Sequence, residues 1–225
     1  TNDVTDISPS TQNDDGLWVS TYYRGIEYLN INNGQFTHYN KSTVPSLPSN
    51  QTWTVLDGGD NNLYIGHVGS GFSIFSLKDK SVKNFQNETG NPASLPGNDV
   101  FCIIKDTNGN IWLGTNNGLA LYNAANENFI TFRNNKNDKY ATLCSRILSI
   151  RQLKDNRLWI ASELNGIAIL NLKQGMFLSP EELSIEYIQE GDDSRSLSNA
   201  SARCIPGFFR QCLDRNMGRR HQLYQ

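Results

Sequence analysis

Side chains with binding chemistry recur three to six residues after an aromatic residue that itself repeats along the chain. Phenol rings, a guanidinium, an imidazole, a carboxylate and amides all occur there. Aromatic faces can stack on the apolar face of a sugar, while amides and charged groups can bind its hydroxyls. Each residue alone is also typical of a solvated loop. The pattern predicts a ligand site with these candidates: Tyr22, Tyr23, Arg24, His67, Asn116, Asn117, Glu163 and Asn165.

Catalytic and metal-binding patterns are absent from the sequence. It contains no nucleophile-base pair, no glycine-rich phosphate loop and no metal-site histidine spacing, and it has only three histidines. Asp106-Thr-Asn-Gly-Asn110 resembles the start of a calcium loop but lacks the closing glutamate, and Asn-Gly is typical of a hairpin turn. We therefore expect no catalytic residue, no metal, no cofactor and no enzymatic activity.

The cysteines do not form a recognisable framework. Their positions are 102, 144, 204 and 212, and the spacings fit neither a zinc site nor a disulfide pattern. Cys102 and Cys204 fall on equivalent positions of the repeat described next. Both are expected to be small buried apolar residues.

The recurring aromatic residues are Trp18, Tyr64, Trp112 and Trp159, at spacings of 46, 48 and 47 residues. Each is followed six or seven residues later by a glycine that opens another apolar run. Twelve residues before the aromatic, first strands are predicted to begin at Thr52, Val100 and Ile147. Val4 is the matching start if the first hairpin is two residues longer.

Each repeat is predicted to contain four short strands. Around Trp112, runs at 100–104, 111–115, 119–122 and 129–132 are β-branched or aromatic, and turn signals separate them. Asn108 and Gly109 both tolerate the positive φ of a tight hairpin turn. Four antiparallel strands repeating at nearly fifty residues are typical of β-propeller blades. The fold prediction is an all-β partial β-propeller whose recurring aromatic residues pack between neighbouring blades.

The predicted propeller covers residues 1–205. Blades are expected at about 1–44, 45–92, 93–140 and 141–195, and a fifth begins at 196–205. Linkers of the type Ser-Leu-Pro recur at Ser46 and Ser94, with Ser-Leu-Ser at Ser196. A helical turn is expected only at 179–183.

The repeat pattern stops abruptly after Ile205. Back-translating 205–225 and restoring two T's after the first codon gives a sequence containing Gly-Asn-Val-Trp-Ile-Gly-Thr, in register with the other blades. We therefore predict that residues 206–225 are a non-native tail produced by a frameshift. The arginines of this tail should not be interpreted as a nucleic-acid patch.

Composition narrows the functional classes. The formal net charge of -2 argues against nucleic-acid binding, which requires a basic face. No apolar run of membrane-spanning length occurs, so no membrane contact is expected in this segment. Loops rather than strands are expected to carry function, and those between the second and third strands open on one common face.

The stretch from Asp106 to Tyr122, Asp-Thr-Asn-Gly-Asn-Ile-Trp-Leu-Gly-Thr-Asn-Asn-Gly-Leu-Ala-Leu-Tyr, resembles the two-component regulator propeller repeat. The linkers at 46, 94 and 196 are also similar to those of that family. The resemblance extends over about 1–205 and is strongest at 98–132.

That resemblance implies the periplasmic sensor region of a Bacteroidetes hybrid two-component histidine kinase and response regulator. It implies an oligosaccharide ligand, the remaining blades of the parent protein as partners, and a homodimer of a parent anchored in the inner membrane. The kinase itself would lie outside this chain. A propeller scaffold for protein interactions and a propeller lyase or glycosidase are the alternatives. Four blades alone are expected to be marginally stable.

Overall fold

The computed structural model describes residues 3–12, 15–59, 61–132, 142–153, 156–163, 165–172 and 184–188. These residues form four separate sheets of four antiparallel strands each, in which chain neighbours pair. The prediction of an all-β partial propeller is confirmed. We refer to the sheets in chain order as blades 1 to 4.

The strands of each blade have the following bounds. Blade 1 contains β1 (Val4–Pro9), β2 (Gly16–Thr21), β3 (Gly25–Asn30) and β4 (Gln35–Tyr39). Blade 2 contains β5 (Thr52–Gly59), β6 (Asn62–His67), β7 (Phe72–Ser76) and β8 (Val82–Phe85). Blade 3 contains β9 (Val100–Lys105), β10 (Ile111–Thr115), β11 (Gly118–Asn123) and β12 (Asn128–Thr131). Blade 4 contains β13 (Ile147–Gln152), β14 (Arg157–Ser162), β15 (Ile167–Asn171) and β16 (Ser184–Ile188).

The predicted turn at Asn108 and Gly109 forms with a different backbone geometry. Gly109 has a φ of +86°, but Asn108 is not among the residues with positive φ. The N–H of Gly109 donates to the carbonyl of Asp106 at 2.9 Å, and that of Asp106 donates to the carbonyl of Asn110 at 2.9 Å. The loop is therefore a turn that closes on a left-handed glycine, a three-residue hairpin geometry.

The carboxylate of Asp106 holds this turn together. It accepts the N–H groups of Asn108 and Asn110 at 2.8 and 2.9 Å, and the Asn110 side-chain amide at 2.8 Å. It also accepts the indole N–H of Trp112 at 2.9 Å. Four donors occupy the carboxylate, so the Asp-Thr-Asn-Gly-Asn motif acts as a turn rather than as a calcium loop.

Apolar clusters fill the seams between successive blades. Trp18 packs against Val55, Leu63 and Phe75 of blade 2, and Tyr64 packs against the cluster of blade 3. Trp112 packs against Ile147 and its neighbours in blade 4. Trp18 and Trp112 are 3% and 0% exposed. The prediction that these rings pack between blades is confirmed at the three described seams.

The residue two positions after each recurring aromatic is small, and in blades 1 to 3 the first strand of the next blade packs closely against it. These residues are Ser20, Gly66, Gly114 and Ala161. A Cβ atom on Gly66 would lie 2.7 Å from the carbonyl oxygen of Val100, closer than real Cβ contacts allow.

The Ser-Leu-Pro linkers contribute to the same seams. Leu47 and Leu95 are 1% and 0% exposed, and each lies in the cluster between the blades that its linker joins. Two residues after the proline, Asn50 and Asn98 accept backbone N–H groups from Gly25 and Gly71 of the preceding blade at 2.9 and 2.8 Å. The motif therefore fixes blades 2 and 3 to the blades before them.

One face of blade 1 exposes apolar side chains that are buried in the other blades. Val4 and Ile7 of β1 are 55% and 58% exposed. Equivalent residues of β9 and β13 are at most 6% exposed, namely Val100, Ile103, Ile147 and Ile150. Phe36 of β4 is 48% exposed and belongs to the same blade. We call this surface the leading face of blade 1.

Several predictions fall outside the described residues. They concern the helical turn at 179–183, the linker at Ser196, the fifth blade, Cys204 and the tail at 206–225. Among the described residues, the helical structure is a single 3₁₀ turn, Thr142–Cys144, which carries the buried Leu143. Within those same ranges, no helix is long and apolar enough to span a bilayer.

Candidate ligand-binding face

The loops between second and third strands lie at one end of the blades. In every blade the first residue after the second strand donates its N–H to the carbonyl of the residue just before the first strand. The four bonds are 2.9 to 3.0 Å long and join Tyr22 to Asp3, Val68 to Gln51, Asn116 to Asp99, and Glu163 to Arg146. The first strands of successive blades are also neighbours, so these pairs lie along one inner edge.

Each first strand carries a β-bulge beside this edge. Pairing with the second strand skips one residue at the same position in all four blades. The skipped residues are Thr5, Trp53, Phe101 and Leu148. A bulge leaves its extra residue unpaired and redirects the side chain. All four residues are partly exposed, so the bulges present a row of side chains along the inner edge.

Aromatic and charged side chains join across the blades on this face. Tyr23 meets Tyr22 edge to face at 4.6 Å between ring centroids, and Tyr22 meets Trp53 at 6.3 Å. Trp53 meets Phe101 at 5.5 Å, again nearly perpendicular. We call this surface the aromatic band.

The aromatic band ends in an ion pair on blade 4. The guanidinium carbon of Arg146 lies 4.6 Å from the centroid of Phe101, within cation-π distance. Arg146 Nη1 lies 3.3 Å from Glu163 Oε1, and both side chains are about two-fifths exposed, at 41% and 44%. The band therefore runs from blade 1 to blade 4. It consists of Tyr23, Tyr22, Trp53, Phe101, Arg146 and Glu163.

The remaining loop candidates border the band or turn back onto the protein. Arg24 is exposed, and its backbone N–H donates to Thr21 Oγ1 at 3.0 Å. Asn116 Oδ1 accepts the N–H of Asp99 at 3.3 Å, and the Asn117 amide donates to the Pro96 carbonyl at 3.0 Å. The Asn165 carbonyl accepts the hydroxyl of Thr142 at 2.9 Å. The side chains of Asn116 and Asn117 and the backbone of Asn165 therefore take part in loop structure.

His67 does not lie in a loop, contrary to the sequence prediction. It is the last residue of β6 and is fully buried. Its Nε2 lies 2.9 Å from Ser73 Oγ, which in turn accepts the Asn84 amide at 3.0 Å. Burial lowers the pKa of His67 to about 4, so the imidazole is neutral at pH 7.

The equivalent position in the other blades is a hydroxyl residue. Thr21, Thr115 and Ser162 donate to the carbonyl of the glycine that follows, at 3.0, 2.8 and 3.2 Å. Each hydroxyl also accepts a backbone N–H of its own loop. These three loops are thus closed by a buried hydroxyl, and His67 is the exception.

Trp53, Phe101 and Arg146 were not among the sequence candidates. Trp53 and Phe101 look like ordinary strand aromatics, since a bulge leaves no local signature. A signal was nevertheless available in the repeat alignment. The second residue of the first strand is Thr, Trp, Phe and Leu in turn, whereas the preceding position is β-branched in every blade.

Other chemistry on the described residues is limited. Burial is the main reason that the pKa of Cys102 rises to about 12, so this thiol is unreactive at neutral pH. Among the described ranges, no three His, Cys, Asp or Glu residues form a group that could hold a metal ion.

The four blades and their common face define this chain as part of a β-propeller. Residues 94–117 match the family model described as two component regulator propeller. This confirms the predicted resemblance to that repeat.

Among proteins of known structure, the chain is similar to the extracellular domain of the hybrid two-component system BT3049 from Bacteroides thetaiotaomicron. The two are 59% identical with a TM-score of 0.74, over 90% of this chain and 24% of that one. The chain is also 33% identical over 92 residues to histidine kinase P4 of Formosa agariphila. That match covers 40% of this chain and 7% of the kinase.

A more distant likeness concerns the fold alone. The β-propeller domain of Cps50 (Swd1) from Myceliophteria thermophila is 11% identical, with a TM-score of 0.59 over 83% of this chain and 59% of that one. The chain thus spans about a quarter of the first relative and a small part of the kinase. The chain is thus similar to proteins of two-component systems, and at residues 94–117 to the two component regulator propeller.

Proposed function

We propose that this chain is a ligand-sensing segment of the extracytoplasmic, periplasmic propeller of a hybrid two-component regulator, and that its ligand is a glycan fragment. The observation that carries the proposal is the aromatic band on a scaffold 59% identical to the extracellular domain of such a system. Partly exposed aromatic rings beside a guanidinium and a carboxylate suit a sugar, whose ring is apolar on its faces and polar at its rim.

Signalling requires that the ligand distinguish between two arrangements of the sensor. A ligand that binds both equally well shifts no equilibrium. The band spans four blades, so a bound ligand would contact several seams at once and favour one relative placement of the blades. A kinase outside this chain would respond to that shift.

The other blades of the parent protein are the proposed partners of the leading face of blade 1. Val4 and Ile7 occupy positions that, in the following blades, are buried against the preceding sheet. A further blade would cover them in the same way and would remove an exposed apolar surface.

A binding screen on the full chain tests the ligand proposal. Purified protein is applied to an immobilised panel of plant, microbial and host oligosaccharides, and hits are checked by calorimetry. The expected result is binding of one structural class without turnover of the sugar. Absence of any binding would contradict the sensor proposal, and hydrolysis or elimination of the bound sugar would support a propeller enzyme.

A further inference from the structure

We infer that the aromatic band selects an uncharged oligosaccharide, bound across the bulge residues Trp53 and Phe101, and rejects sugars that carry carboxylate or sulfate groups. The inference rests on the proposed sensing function and adds the class of ligand and the residues that bind it. It follows from the bulges, from the charges beside the inner edge and from the Arg146 ion pair.

The bulges place aromatic rings where a ligand can reach them. Trp53 and Phe101 are the skipped residues of β5 and β9, and both are partly exposed. The hydroxyl of Ser20 donates to the Trp53 carbonyl at 3.2 Å and so fixes this bulge against blade 1. Tyr22 supports the indole from one side and Phe101 from the other. These rings are held in place before a ligand arrives, which lowers the entropy lost on binding.

The charges along the inner edge disfavour an anion. The three positions per blade that form this edge are the residue before the first strand, the bulge and the first loop residue. They contain the carboxylates of Asp3, Asp99 and Glu163 and the guanidinium of Arg146, so their formal charge is -3 plus 1, or -2. Arg24 lies further along its loop, and the net charge of the face stays negative when its positive charge is included. An acidic sugar would therefore be repelled.

The cation of the band is already paired. Glu163 lies beside Arg146, while Phe101 lies within cation-π distance of its guanidinium. The carboxylate of Glu163 offsets the charge of Arg146, so an anionic ligand would gain less from this guanidinium than from an unpaired one. Sugar hydroxyls can instead donate to the carboxylate and accept from the guanidinium at the same time, which leaves the ion pair intact.

The test is calorimetric titration of the full 225-residue chain with two sets of hexasaccharides. The neutral set comprises maltohexaose, cellohexaose, xylohexaose and mannohexaose, and the acidic set comprises hexagalacturonate and a heparin hexasaccharide. A neutral member should bind at least roughly tenfold more tightly than either acidic member. Its affinity should be unchanged between about 50 and about 300 mM NaCl, since the attraction is not between net charges.

Matched variants locate the site. Trp53→Leu and Phe101→Leu keep an apolar side chain but remove the ring, and each should weaken binding by roughly tenfold. Phe36→Leu removes an aromatic ring that is 48% exposed on β4, and it should change the affinity less than about twofold. Thermal melting of each variant shows whether the chain remains folded, and the intrinsic fluorescence of the wild type should change on binding through Trp53.

The outcomes separate the inference from the proposed function. Tighter binding of an acidic hexasaccharide, weakened by salt, would overturn the inference and leave glycan sensing standing. The same holds if a neutral sugar binds equally well to the wild type and to folded Trp53→Leu and Phe101→Leu variants. Failure of both sets and of the wider panel to bind would overturn the sensing proposal itself.

Discussion

His67 is a buried imidazole at a position where the other blades use a hydroxyl. Its Nδ1 meets no hydrogen-bond partner among the described residues, and burial lowers its pKa from 6.5 to about 4. Because the folded state resists protonation of His67, the contribution of this residue to the free energy of unfolding should be fully present above pH 6.5. That contribution should be lost as the pH drops from 6.5 toward 4, by roughly 3 kcal/mol in the limit.

His67→Thr should remove that pH dependence. The change reproduces Thr21 and Thr115 of the neighbouring blades, so the difference in unfolding free energy between pH 7 and pH 4.5 should shrink. Denaturant titrations at the two pH values measure it, and His38→Thr, at a side chain 55% exposed, is the control. An unaltered difference in the His67→Thr protein would show that another group is responsible.

Asp57 shows how one residue can hold two blades together. Its buried carboxylate accepts the Thr11 N–H and hydroxyl at 3.0 and 2.7 Å, the Gly59 N–H at 3.0 Å and the Trp18 indole N–H at 3.1 Å. Burial alone would raise the pKa of Asp57, but these donors outweigh it and hold the pKa below its usual value. Gln152 is the equivalent residue of the first strand of blade 4, and its side-chain oxygen accepts the N–H of Thr107 of blade 3 at 2.8 Å.

Of these two equivalent residues, loss of the charged Asp57 side chain should lower the free energy of unfolding more than loss of the neutral Gln152 side chain. Asp57→Ala removes the acceptor of five donors of blades 1 and 2, the Ser10 hydroxyl among them, and should destabilise the chain by about 2–3 kcal/mol. Gln152→Ala should cost about 1 kcal/mol. Urea unfolding at pH 7 measures both. Because the folded pKa of Asp57 is depressed, the difference between the losses of unfolding free energy in the two variants should narrow only as the pH falls below about 4. Equal losses at pH 7 would contradict the hydrogen-bond account.

At the scale of elements, the small residue of each second strand sets how closely blades approach. Gly66→Ala would place a Cβ against a backbone oxygen, which cannot move without shifting β9. Gly114→Ala would place it 2.5 Å from Cys102 Sγ and 2.7 Å from Ile147 Cγ2, which are side-chain atoms. Both should destabilise by about 1–3 kcal/mol, and Gly66→Ala more. Melting temperatures test the order, with Ala161→Gly as the reverse change in blade 4.

The elements could be predicted from sequence because the repeat supplies four copies of each signal. Strand starts at Thr52, Val100 and Ile147 are confirmed, since β-branched residues and turn glycines mark them in every copy. The bulges could not be predicted, because a skipped residue changes pairing without changing composition. For the same reason the sequence does not single out Trp53 and Phe101 of the band, whereas it predicts their loop neighbours Tyr22, Tyr23 and Glu163 as candidates, which remains a prediction. The prediction for His67 was wrong because the loop was taken to begin one residue too early, at the last residue of β6.

At the scale of the whole molecule, the exposed leading face of blade 1 is the main consequence of an array built from identical seams. Each described blade has one face suited to the blade before it, and in blade 1 the side chains of Val4, Ile7 and Phe36 on that face lie in solvent. An array of this kind derives its stability from the interfaces between neighbours. A substitution on the leading face should therefore have a different effect from the same substitution one blade later.

Ile7→Lys and Ile103→Lys test this difference at equivalent positions. Ile7 is 58% exposed, so a lysine there should change the unfolding free energy by less than about 0.5 kcal/mol and should reduce self-association. Ile103 is 6% exposed between blades 2 and 3. An unpaired charge buried there should lower the free energy of unfolding by about 3 kcal/mol or more, or prevent folding. Denaturant unfolding and light scattering of both variants give the comparison. If a longer form of the protein supplies a covering blade, Ile7→Lys in that form should become as damaging as Ile103→Lys. Equal tolerance of both lysines in the present chain would mean that the seam between blades 2 and 3 contributes little to stability.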